Sequence, residues 1–418
     1  MKAEIIAVGS ELLTPDRSDT NSLFLTAQLN RLGIEVVRKT IVGDDMESLS
    51  REFRLALELA DVVVASGGLG PTEDDITREA LSAVLRRPLV QNEDVLKDLH
   101  AKFERMGRTM PQINVKQAMV PVGATVLVNP RGTAPGLWIE DGPRIVILVP
   151  GPPAELEPMF IERVVPRLEV RVTGARLATR DLRVTGMGES AVDQAIAPIY
   201  KGYRDVQTTI LHVVGEIHVQ LRLWSAETEA AEKKLDEIVE RIRRALGETL
   251  FSTKGEEIEQ VVAQQLTWHG ATLAVAESCT GGMLGERLTR IPGSSAYFTG
   301  GVISYGNDLK SGWLDVPREV IETKGAVSAE AARAMAEGVR KRAGTTLGLS
   351  ITGIAGPTGG TLEKPVGTVH IALADANSVQ DKAFRFPGDR GRIRGQAAVA
   401  ALDMIRRYYL HHSDRKQQ

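Results

Sequence analysis

Short apolar runs alternate with amphipathic segments over roughly the first 165 residues of the chain. Four runs have the length and continuity of buried strands: Glu4–Val8, Glu35–Ile41, Asp61–Ser66 and Ile145–Val149. Apolar residues at helical spacing predict helices between them: Thr20–Leu32, Met46–Leu59 and Thr77–Leu85. Strands that alternate with helices form a parallel sheet with helices on both faces. We therefore predict an α/β domain at residues 1–168.

The pattern changes near residue 170. Glu216–Leu223 alternates strictly between polar and apolar residues, as in a strand with one exposed face. A strand at Thr179–Val184, a helix at Glu189–Tyr200 and a long amphipathic helix at Ala226–Leu246 complete a small α+β module, which we place at residues 169–254. We find no basic Gly-x-x-Gly loop to clamp a nucleic acid backbone, so a connecting and dimerising role is expected.

The third segment, residues 255–418, returns to an α/β pattern. Helices are predicted at Glu256–Trp268, Gly282–Arg290, Ser328–Arg342 and Arg392–Tyr409, and strands at Ala271–Ala276, Leu347–Ile351 and Val366–Ala374. The polar tail Ser413–Gln418 is expected to fray. The whole chain is thus predicted to be α/β, with two α/β domains joined by a small α+β domain.

Composition narrows the function classes. The 418 residues exceed one compact core, and a net charge of -3 gives no general attraction to nucleic acid or an anionic membrane. Cys279 is the single cysteine, which excludes an internal disulfide and a zinc site of several thiolates. There is no apolar stretch of membrane-spanning length, and the first apolar run is too short for a signal peptide. A cytoplasmic protein is expected.

The clearest catalytic candidate is Ser278, in the run Ala276-Glu277-Ser278-Cys279-Thr280-Gly281-Gly282. A predicted strand ends there and a helix begins, which is the geometry that exposes a nucleophile. The unpaired N–H groups of a first helical turn can also hold an oxyanion or a phosphate. Ser278 has a simpler interpretation as a helix cap, and Cys279 is an alternative nucleophile.

A serine nucleophile needs a base. The histidines of the third segment lie outside its Gly-rich turns, so a Ser-His-Asp triad is not favoured. Desolvation can lower the pKa of a lysine enough to replace histidine, and Lys310 is the candidate, with Lys364 a weaker one. Tyr305, five residues before Lys310, can relay or orient the proton, or else be a half-buried core residue with a wet tip.

Two further blocks complete this segment. The Gly-rich turn that includes Thr352 and Gly353 follows a predicted strand and lets the backbone approach a ligand closely. Pro387-Gly388-Asp389-Arg390 leads into a helix that also carries Arg392 and Arg394, and arginine suits bidentate phosphate binding.

These blocks together resemble the C-terminal domain of the CinA family, the nicotinamide-nucleotide amidases, and the middle module resembles the KH-like domain of CinA proteins. The resemblance implies hydrolysis of nicotinamide mononucleotide (NMN) to nicotinate mononucleotide and ammonia, with no cofactor. It implies Ser278 as nucleophile, Lys310 as base, and Tyr305 and Thr352 as supporting hydroxyls. Substrate-binding positions are then Thr280, Gly281, Gly282 and Gly353, with Arg390 and Arg394 preferred over Arg392 for the phosphate.

The first domain has three polar motifs at predicted strand ends, where an open parallel sheet binds its ligand. Ser10 and, further on, Asn21 follow the first strand; Gly67 and Gly68 open the loop Gly67–Gly70; Gly151 lies in Pro150-Gly151-Pro152-Pro153. The N–H groups of the Gly67–Gly70 loop can cradle a phosphate. Carboxylates beside a phosphate favour a hard divalent cation, and the candidate ligands are Asp44, Asp74 and Asp75. Acidic residues at a helix start can instead stabilise its dipole.

The Gly-Gly-x-Gly-Pro-Thr-x-Asp-Asp block and the Pro-Gly-Pro-Pro turn resemble the molybdopterin-binding (MoCF) fold at the front of CinA proteins. This resemblance implies hydrolysis of ADP-ribose to AMP and ribose 5-phosphate, dependent on Mg²⁺, Mn²⁺ or Co²⁺. It also implies a homodimer. The alternatives are a competence or DNA-damage accessory protein, and an N-terminal domain that only senses nucleotide or binds molybdopterin. Balanced charge and 4% aromatic residues argue against nucleic acid as a partner.

Overall fold

The structure, a computed structural model, describes residues 1–172, 174 and 176–412. The expected fraying of the tail at 413–418 therefore lies outside the described residues. The chain forms two compact units, Met1–Ala178 with Trp224–Ala231, and Thr179–Leu223 with the chain from Glu232 onward. The predicted α/β class is confirmed, because each large sheet contains parallel strands joined through helices.

The first unit contains the N-terminal α/β domain. Its strands are β1 (Lys2–Val8), β2 (Glu35–Val42), β3 (Val62–Ser66), β4 (Leu89–Gln91), β5 (Met119–Pro121), β6 (Thr125–Leu127), β7 (Gly136–Asp141) and β8 (Arg144–Val149). Its helices are α1 (Asn21–Arg31), α2 (Met46–Leu59), α3 (Thr77–Leu85), α4 (Glu93–Arg105), α5 (Pro153–Met159) and α6 (Val165–Arg171). Alternate residues of the buried strands, such as Ile5 and Ile6, enter two apolar cores on opposite faces of the sheet.

The main sheet of this unit has the order β2-β1-β3-β8-β7-β6. Strands β2, β1, β3 and β8 are parallel, as the alternating pattern predicts. Strands β7 and β6 are antiparallel to their neighbours, and the pattern did not predict them. A tight turn at Gly142 joins β7 to β8 as a hairpin in place of the strand–helix–strand connection that the pattern predicts elsewhere. Residues Ala7, Ser66 and Val149 are aligned across β1, β3 and β8, so the loops that follow these strands meet at one edge.

A four-stranded sheet with the order β10-β11-β9-β12 forms the middle module. Its elements are β9 (Arg176–Thr185), α7 (Glu189–Tyr200), β10 (Val206–Val213), β11 (Glu216–Ser225), α8 (Thr228–Leu246) and β12 (Leu250–Ser252). Strand β10 pairs with β11 in antiparallel register. The apolar pattern did not predict β10, because apolar and polar residues do not alternate along its sequence and most of its residues are exposed.

The C-terminal domain has a five-stranded sheet with the order β14-β13-β15-β16-β17. Its elements are α9 (Ile258–Trp268), β13 (Leu273–Glu277), α10 (Met283–Thr289), β14 (Phe298–Ile303), α11 (Asn307–Leu314), α12 (Arg318–Thr323), α13 (Ala329–Ala343), β15 (Leu347–Gly353), β16 (Thr368–Ala374), β17 (Val379–Arg385) and α14 (Arg390–His412). Strand β13 is parallel to its two neighbours β14 and β15, whereas β16 and β17 continue antiparallel. Among the described residues, no helix is both long and apolar enough to cross a bilayer.

Candidate functional site

Ser278 is the first residue after β13, the strand between β14 and β15 in the C-terminal sheet. Its N–H donates to the carbonyl of Ile351 at 2.9 Å, which extends the pairing with β15 by one residue. The chain then turns through Gly281 and Gly282, whose φ angles of 57° and 96° are costly for any residue with a Cβ. This turn delivers Ser278 to the carboxyl edge of the sheet with 8% of its surface exposed.

Lys310, on α11, is only 1% exposed, and its amine lies against the serine. Its Nζ is 3.2 Å from the Oγ of Ser278, 2.8 Å from the carbonyl oxygen of Ser304 and 3.3 Å from that of Tyr305. Burial lowers the pKa of Lys310, with a smaller opposing contribution from Cys279. A neutral amine has two N–H donors and one lone pair. In its neutral form the amine can donate to the two carbonyls and turn its lone pair to the hydroxyl of Ser278.

Glu277, directly before the nucleophile candidate, fixes the turn. Its buried carboxylate accepts the N–H groups of Gly282, Leu284 and Gly285 at 2.9, 3.1 and 2.8 Å. The sequence predicted that first-turn N–H groups of this helix would face a ligand, but these three are bound to Glu277. In the part of the chain that the structure describes, the N–H groups of Cys279 and Thr280 have no acceptor, so they are the donors available beside Ser278.

The two alternative residues for this chemistry are placed differently. The thiol of Cys279 is 5% exposed and belongs to the apolar core, and burial raises its pKa to about 11. A thiol that stays protonated at neutral pH is a poor nucleophile. Lys364 donates to the carbonyls of Lys324 and Val327 at 2.6 and 2.7 Å, which makes it a link between backbone segments. The geometry favours Ser278 and Lys310.

The two supporting hydroxyls of the sequence prediction do not bond to Ser278 or Lys310 among the described residues. The exposed Tyr305 contacts Lys310 through its carbonyl, while its hydroxyl accepts from Arg390 at 2.8 Å. The hydroxyl of Thr352 donates to the carbonyl of Ala326 at 2.7 Å, because this side chain points to the face of the sheet that α13 covers.

Both preferred arginines bind the loops around the serine. Arg394 donates through Nε and Nη2 to the carbonyl of Thr280, at 3.2 and 2.6 Å. Arg390 donates to the carbonyl of Gly356 at 2.8 Å as well as to Tyr305. A guanidinium has five N–H donors, so these contacts leave others for an anion. The exposed Arg392 bonds through its backbone N–H to Asp389, which caps the helix.

The remaining predicted positions of this site shape the turn. Gly353 ends β15 so close to the turn that a Cβ there would lie 3.1 Å from the Sγ of Cys279 and 2.7 Å from Val369. The fully buried Thr280 has a hydroxyl oxygen without a hydrogen-bond partner among the described residues. Thr280, Gly281 and Gly282 thus continue the turn that begins at Ser278, and Gly353 packs against this turn at Cys279. Substrate binding by these four residues stays a prediction.

A cavity of about 360 Å³ lies at the carboxyl edge of the N-terminal sheet. The predicted residues that line it are Gly67, Gly68, Gly151, Asp44, Asp74 and Asp75. Glu11 and Glu155 line it as well, so the cavity is strongly acidic. Loops that follow four parallel strands, β1, β2, β3 and β8, therefore meet at one site, as expected for an open parallel sheet.

Several polar residues predicted for this site bond to one another. Ser10 donates its N–H to Asp44 at 2.7 Å and accepts the N–H of Asp44 at 3.0 Å. Asn21 donates to the carbonyl of Gly151 at 2.7 Å. Asp75 accepts from both the N–H and the hydroxyl of Thr72, at 2.9 and 2.5 Å. These contacts order the rim of the cavity.

Carboxylates are suitable ligands for a divalent cation, but the acidic side chains of this cavity are not arranged as a metal site. Over the described ranges 1–172, 174 and 176–412, no three His, Cys, Asp or Glu side chains lie close enough together to hold one metal ion. Asp44 and Asp75 are engaged with neighbouring backbone N–H groups. We therefore assign no chemical step to a metal.

Comparison with known proteins matches the chain in three successive parts. The probable molybdopterin binding domain matches residues 4–170, the KH domain of damage-inducible protein CinA matches 179–252, and the CinA C-terminal domain matches 255–409. A CinA-like protein of Koribacter versatilis is 48% identical over 97% of this chain and 99% of its own length. The chain belongs to the CinA family.

A second full-length relative and one solved structure are also similar to this chain. A CinA-like protein of Dictyoglomus thermophilum is 42% identical over 98% of this chain and all of its own length (100%). The crystal structure of the protein CinA from Thermoplasma acidophilum is 36% identical and covers 40% of this chain and 99% of that one, with a TM-score of 0.37. Ser278 and Lys310 fall within the CinA C-terminal match, and the 360 Å³ cavity falls within the molybdopterin-binding match.

Sequence reasoning missed three residues whose side chains hydrogen-bond to the backbone of the two turns: Glu277, Thr77 and Arg78. Glu277 has a visible signal, since a lone acid at the end of an apolar strand and before a Gly-Gly turn is available to bind the next helix. Thr77 and Arg78 have a weaker one. They follow the Asp-Asp pair at the start of α3, where they read as ordinary helix residues, yet both are buried and bond to the Gly67–Gly70 loop.

Proposed function

We propose that the C-terminal domain hydrolyses the carboxamide of nicotinamide mononucleotide, giving nicotinate mononucleotide and ammonia. The observation that carries the proposal is the buried Lys310 amine, 3.2 Å from the Ser278 hydroxyl and with a lowered pKa. A buried lysine that has no ionic partner among the described residues can act as the base that activates a neighbouring serine as nucleophile. The resemblance to the CinA amidases supplies the substrate.

In the first half of the reaction, Ser278 gives its proton to the neutral Lys310 as Oγ attacks the carboxamide carbon. The developing oxyanion accepts the N–H groups of Cys279 and Thr280, which have no intramolecular acceptor in the described chain. Protonated Lys310 then transfers its proton to the departing nitrogen, so that ammonia leaves and an ester forms at Ser278. The carbonyls of Ser304 and Tyr305 stabilise the transient ammonium.

In the second half, water replaces ammonia. Lys310, neutral again, accepts a proton from the water as its oxygen attacks the ester carbon. The same two N–H groups hold the oxyanion, and the proton on Lys310 passes to Ser278 as the ester bond breaks. The carboxylic acid that leaves loses its remaining proton to solvent. Arg390 and Arg394 are proposed to attract the substrate phosphate while they hold the loops of Gly356 and Thr280 in place.

The test is direct. The purified full chain is incubated with NMN, and ammonia is measured in a coupled assay while nicotinate mononucleotide is separated by chromatography. Ser278→Ala serves as the matched control, with circular dichroism to show that its fold is unchanged. Stoichiometric release of both products by the unmodified chain, and neither by the variant, supports the proposal. Absence of both products in the unmodified chain refutes it.

A second proposal concerns the N-terminal domain: we propose that it binds ADP-ribose and cleaves its diphosphate to AMP and ribose 5-phosphate. Its support is the cavity at the sheet edge, where the open Gly67–Gly70 loop meets five acidic residues. The divalent cation that the sequence resemblance implies, Mg²⁺, Mn²⁺ or Co²⁺, stays part of this proposal, with Asp44, Asp74 and Asp75 as its candidate ligands. A homodimer and a cytoplasmic location stay predictions.

This second activity is tested by AMP release from ADP-ribose, with each cation and with a chelator. Asp74→Asn should raise the metal concentration needed for half-maximal AMP release and leave ammonia release from NMN unchanged. Asp45→Asn is the control, because Asp45 caps α2 outside the residues that line the cavity. An identical metal response in Asp74→Asn and the unmodified chain would remove Asp74 from the site.

A further inference from the structure

Four consecutive carbonyls of the Gly67–Gly70 loop are all bound by two residues at the start of α3. Thr77 donates its hydroxyl to the carbonyl of Gly67 at 2.9 Å and its N–H to that of Gly68 at 3.2 Å. Arg78 donates Nη1 to the carbonyl of Leu69 at 2.8 Å and Nη2 to that of Gly70 at 2.9 Å. The loop is therefore held from one side along its whole length.

Fixing the carbonyls also fixes the N–H groups. In a trans peptide the carbonyl of one residue and the N–H of the next point in opposite directions. The N–H groups of Gly68, Leu69 and Gly70 therefore point away from Thr77 and Arg78. None of the three has an acceptor within the described part of the chain. Successive N–H groups that point to one side form a concave anion-binding site.

Glycine is required where this geometry is tightest. Gly67 and Gly68 have φ angles of 101° and 64°, in the left-handed region. A Cβ on Gly67 would lie 2.2 Å from the carbonyl oxygen of Val8, and one on Gly68 would lie 2.1 Å from the Thr77 hydroxyl. The backbone thus approaches both β1 and Thr77 as closely as two residues without side chains allow.

Arg78 adds an uncompensated charge. It is 1% exposed, its Nε has no hydrogen-bond partner, and no carboxylate of the described residues lies within ion-pairing distance of it. Burial lowers the pKa of Arg78, and Glu79 and Asp75 partly oppose this effect from farther away. A buried cation without an ion-pair partner is costly, and an anion bound on the other side of the loop reduces that cost.

We propose that Thr77 and Arg78 are positioning residues that turn the Gly67–Gly70 loop into a site for a phosphate or diphosphate group. They bind the carbonyls on one side of the loop, so that three N–H groups face the anion on the other side. The positive charge of Arg78 lies on the carbonyl side of the loop. The inference deepens the proposed diphosphate chemistry of this cavity and rests on that proposal for the natural ligand only.

The experiment uses the full chain with inorganic pyrophosphate as the probe. Calorimetry gives its affinity at two salt concentrations, and ¹⁵N-labelled protein reports the amide resonances of Gly68, Leu69 and Gly70 during the titration. We expect these three resonances to shift together on binding. We expect Arg78→Met to weaken pyrophosphate at least about tenfold, since hydrogen bonds to charged groups contribute on this scale. Its salt dependence should also be shallower, because a positive charge is lost.

Matched variants separate positioning from simple packing. Thr77→Ser keeps the hydroxyl and should retain the affinity of the unmodified chain, whereas Thr77→Val loses it and should bind more weakly. Arg78→Lys keeps the charge but cannot bridge two carbonyls, so its affinity should lie between those of Arg78→Met and the unmodified chain. Unfolding midpoints identify any variant that fails to fold. If a variant does not fold, the shifts of the three amide resonances in the unmodified chain test the inference in its place.

The outcomes are distinct. Pyrophosphate bound without movement of the three amide resonances, Arg78→Met with unchanged affinity, or no pyrophosphate binding at all would overturn the inference. If pyrophosphate binds through the three N–H groups but ADP-ribose yields no AMP with any cation, the proposed activity fails while the anion site stands.

Discussion

Two turns in this molecule share a plan and differ in which backbone groups their side chains bind. The Ser278 turn follows β13 and precedes α10, and the Gly67–Gly70 loop follows β3 and precedes α3; both parent strands are buried and parallel to their neighbours. In the first, Glu277 accepts N–H groups, so the turn presents a hydroxyl. In the second, Thr77 and Arg78 bind carbonyls, so the loop presents N–H groups.

The difference teaches how one local fold supports two kinds of chemistry. A strand–turn–helix always brings unpaired backbone donors to the carboxyl edge of a sheet. A carboxylate placed before the turn binds those donors and leaves a side chain as the reactive group. A hydroxyl and a guanidinium placed after the turn bind the acceptors and leave the donors for an anion.

The largest effect is expected at the reactive side chain. Ser278→Ala removes the nucleophile and should lower ammonia release from NMN by at least about 10⁴-fold, as in other enzymes that lose their serine. AMP release from ADP-ribose should be unchanged, because the Gly67–Gly70 loop belongs to the other unit. Both rates are measured on the same preparation. If the variant still releases ammonia, the Ser278 turn does not supply the reactive group, and this half of the comparison is wrong.

Removal of the base should have the next largest effect. Lys310→Met is expected to lower kcat for ammonia release by about 10²–10⁴-fold, the usual contribution of general base catalysis. The neutral amine is the active form, and burial lowers the pKa of Lys310. Activity of the unmodified chain should therefore rise with pH through this lowered pKa, at a pH below the titration of an exposed lysine.

The pH–rate profile checks that assignment separately from the size of the loss. In Lys310→Met the rise with pH should disappear from the residual activity. Lys364→Met is the matched control, since Lys364 binds two backbone carbonyls away from the serine. The same pH dependence in Lys310→Met and the unmodified chain would assign the base to another group.

A smaller effect is expected where Glu277 holds the helix start. Glu277→Gln keeps one acceptor oxygen but loses the charge that three N–H groups share, so the turn should become less well ordered. We expect kcat for ammonia release to fall about 10- to 100-fold with KM nearly constant, as for modest displacement of a catalytic group. A change confined to KM would indicate that Glu277 shapes substrate binding instead.

The smallest effect sharpens the choice of nucleophile. The buried thiol of Cys279, with its pKa raised to about 11, should be chemically inert. Cys279→Ala should keep ammonia release within a few-fold of the unmodified chain, and ammonia release by the unmodified chain should be insensitive to thiol reagents. Loss of activity as large as that in Ser278→Ala, in a variant that is still folded, would make the thiol the reacting group.

Much of this organisation was predictable from the sequence because the buried strands and amphipathic helices carry strong patterns. The helices Met46–Leu59, Thr77–Leu85 and Glu189–Tyr200 have the predicted bounds. Strand β17 was not predicted, because its residues are mostly exposed and it pairs only at the edge of the sheet. Edge strands with two polar faces show no period to read.

The candidate site was predictable where side chains act and less so where the backbone acts. Ser278 and Lys310 are reactive residue types that the sequence predicts as nucleophile and base, and the structure places their side chains 3.2 Å apart. Glu277, Thr77 and Arg78 act through bonds to particular N–H and carbonyl groups, and such bonds depend on turn geometry that residue types do not specify. For the same reason the hydroxyls of Tyr305 and Thr352 bond to Arg390 and Ala326 rather than to Ser278 or Lys310.

The most direct test of the central claim is to identify the residue that becomes acylated. The chain is mixed with NMN, quenched in acid within milliseconds, digested, and sequenced by tandem mass spectrometry across the peptide that contains Ser278 and Cys279. We expect the mass of the pyridine-carbonyl nucleotide on Ser278, and its absence in Ser278→Ala. The same mass on Cys279, or ammonia release in Ser278→Ala at the unmodified rate, would contradict a serine nucleophile activated by Lys310.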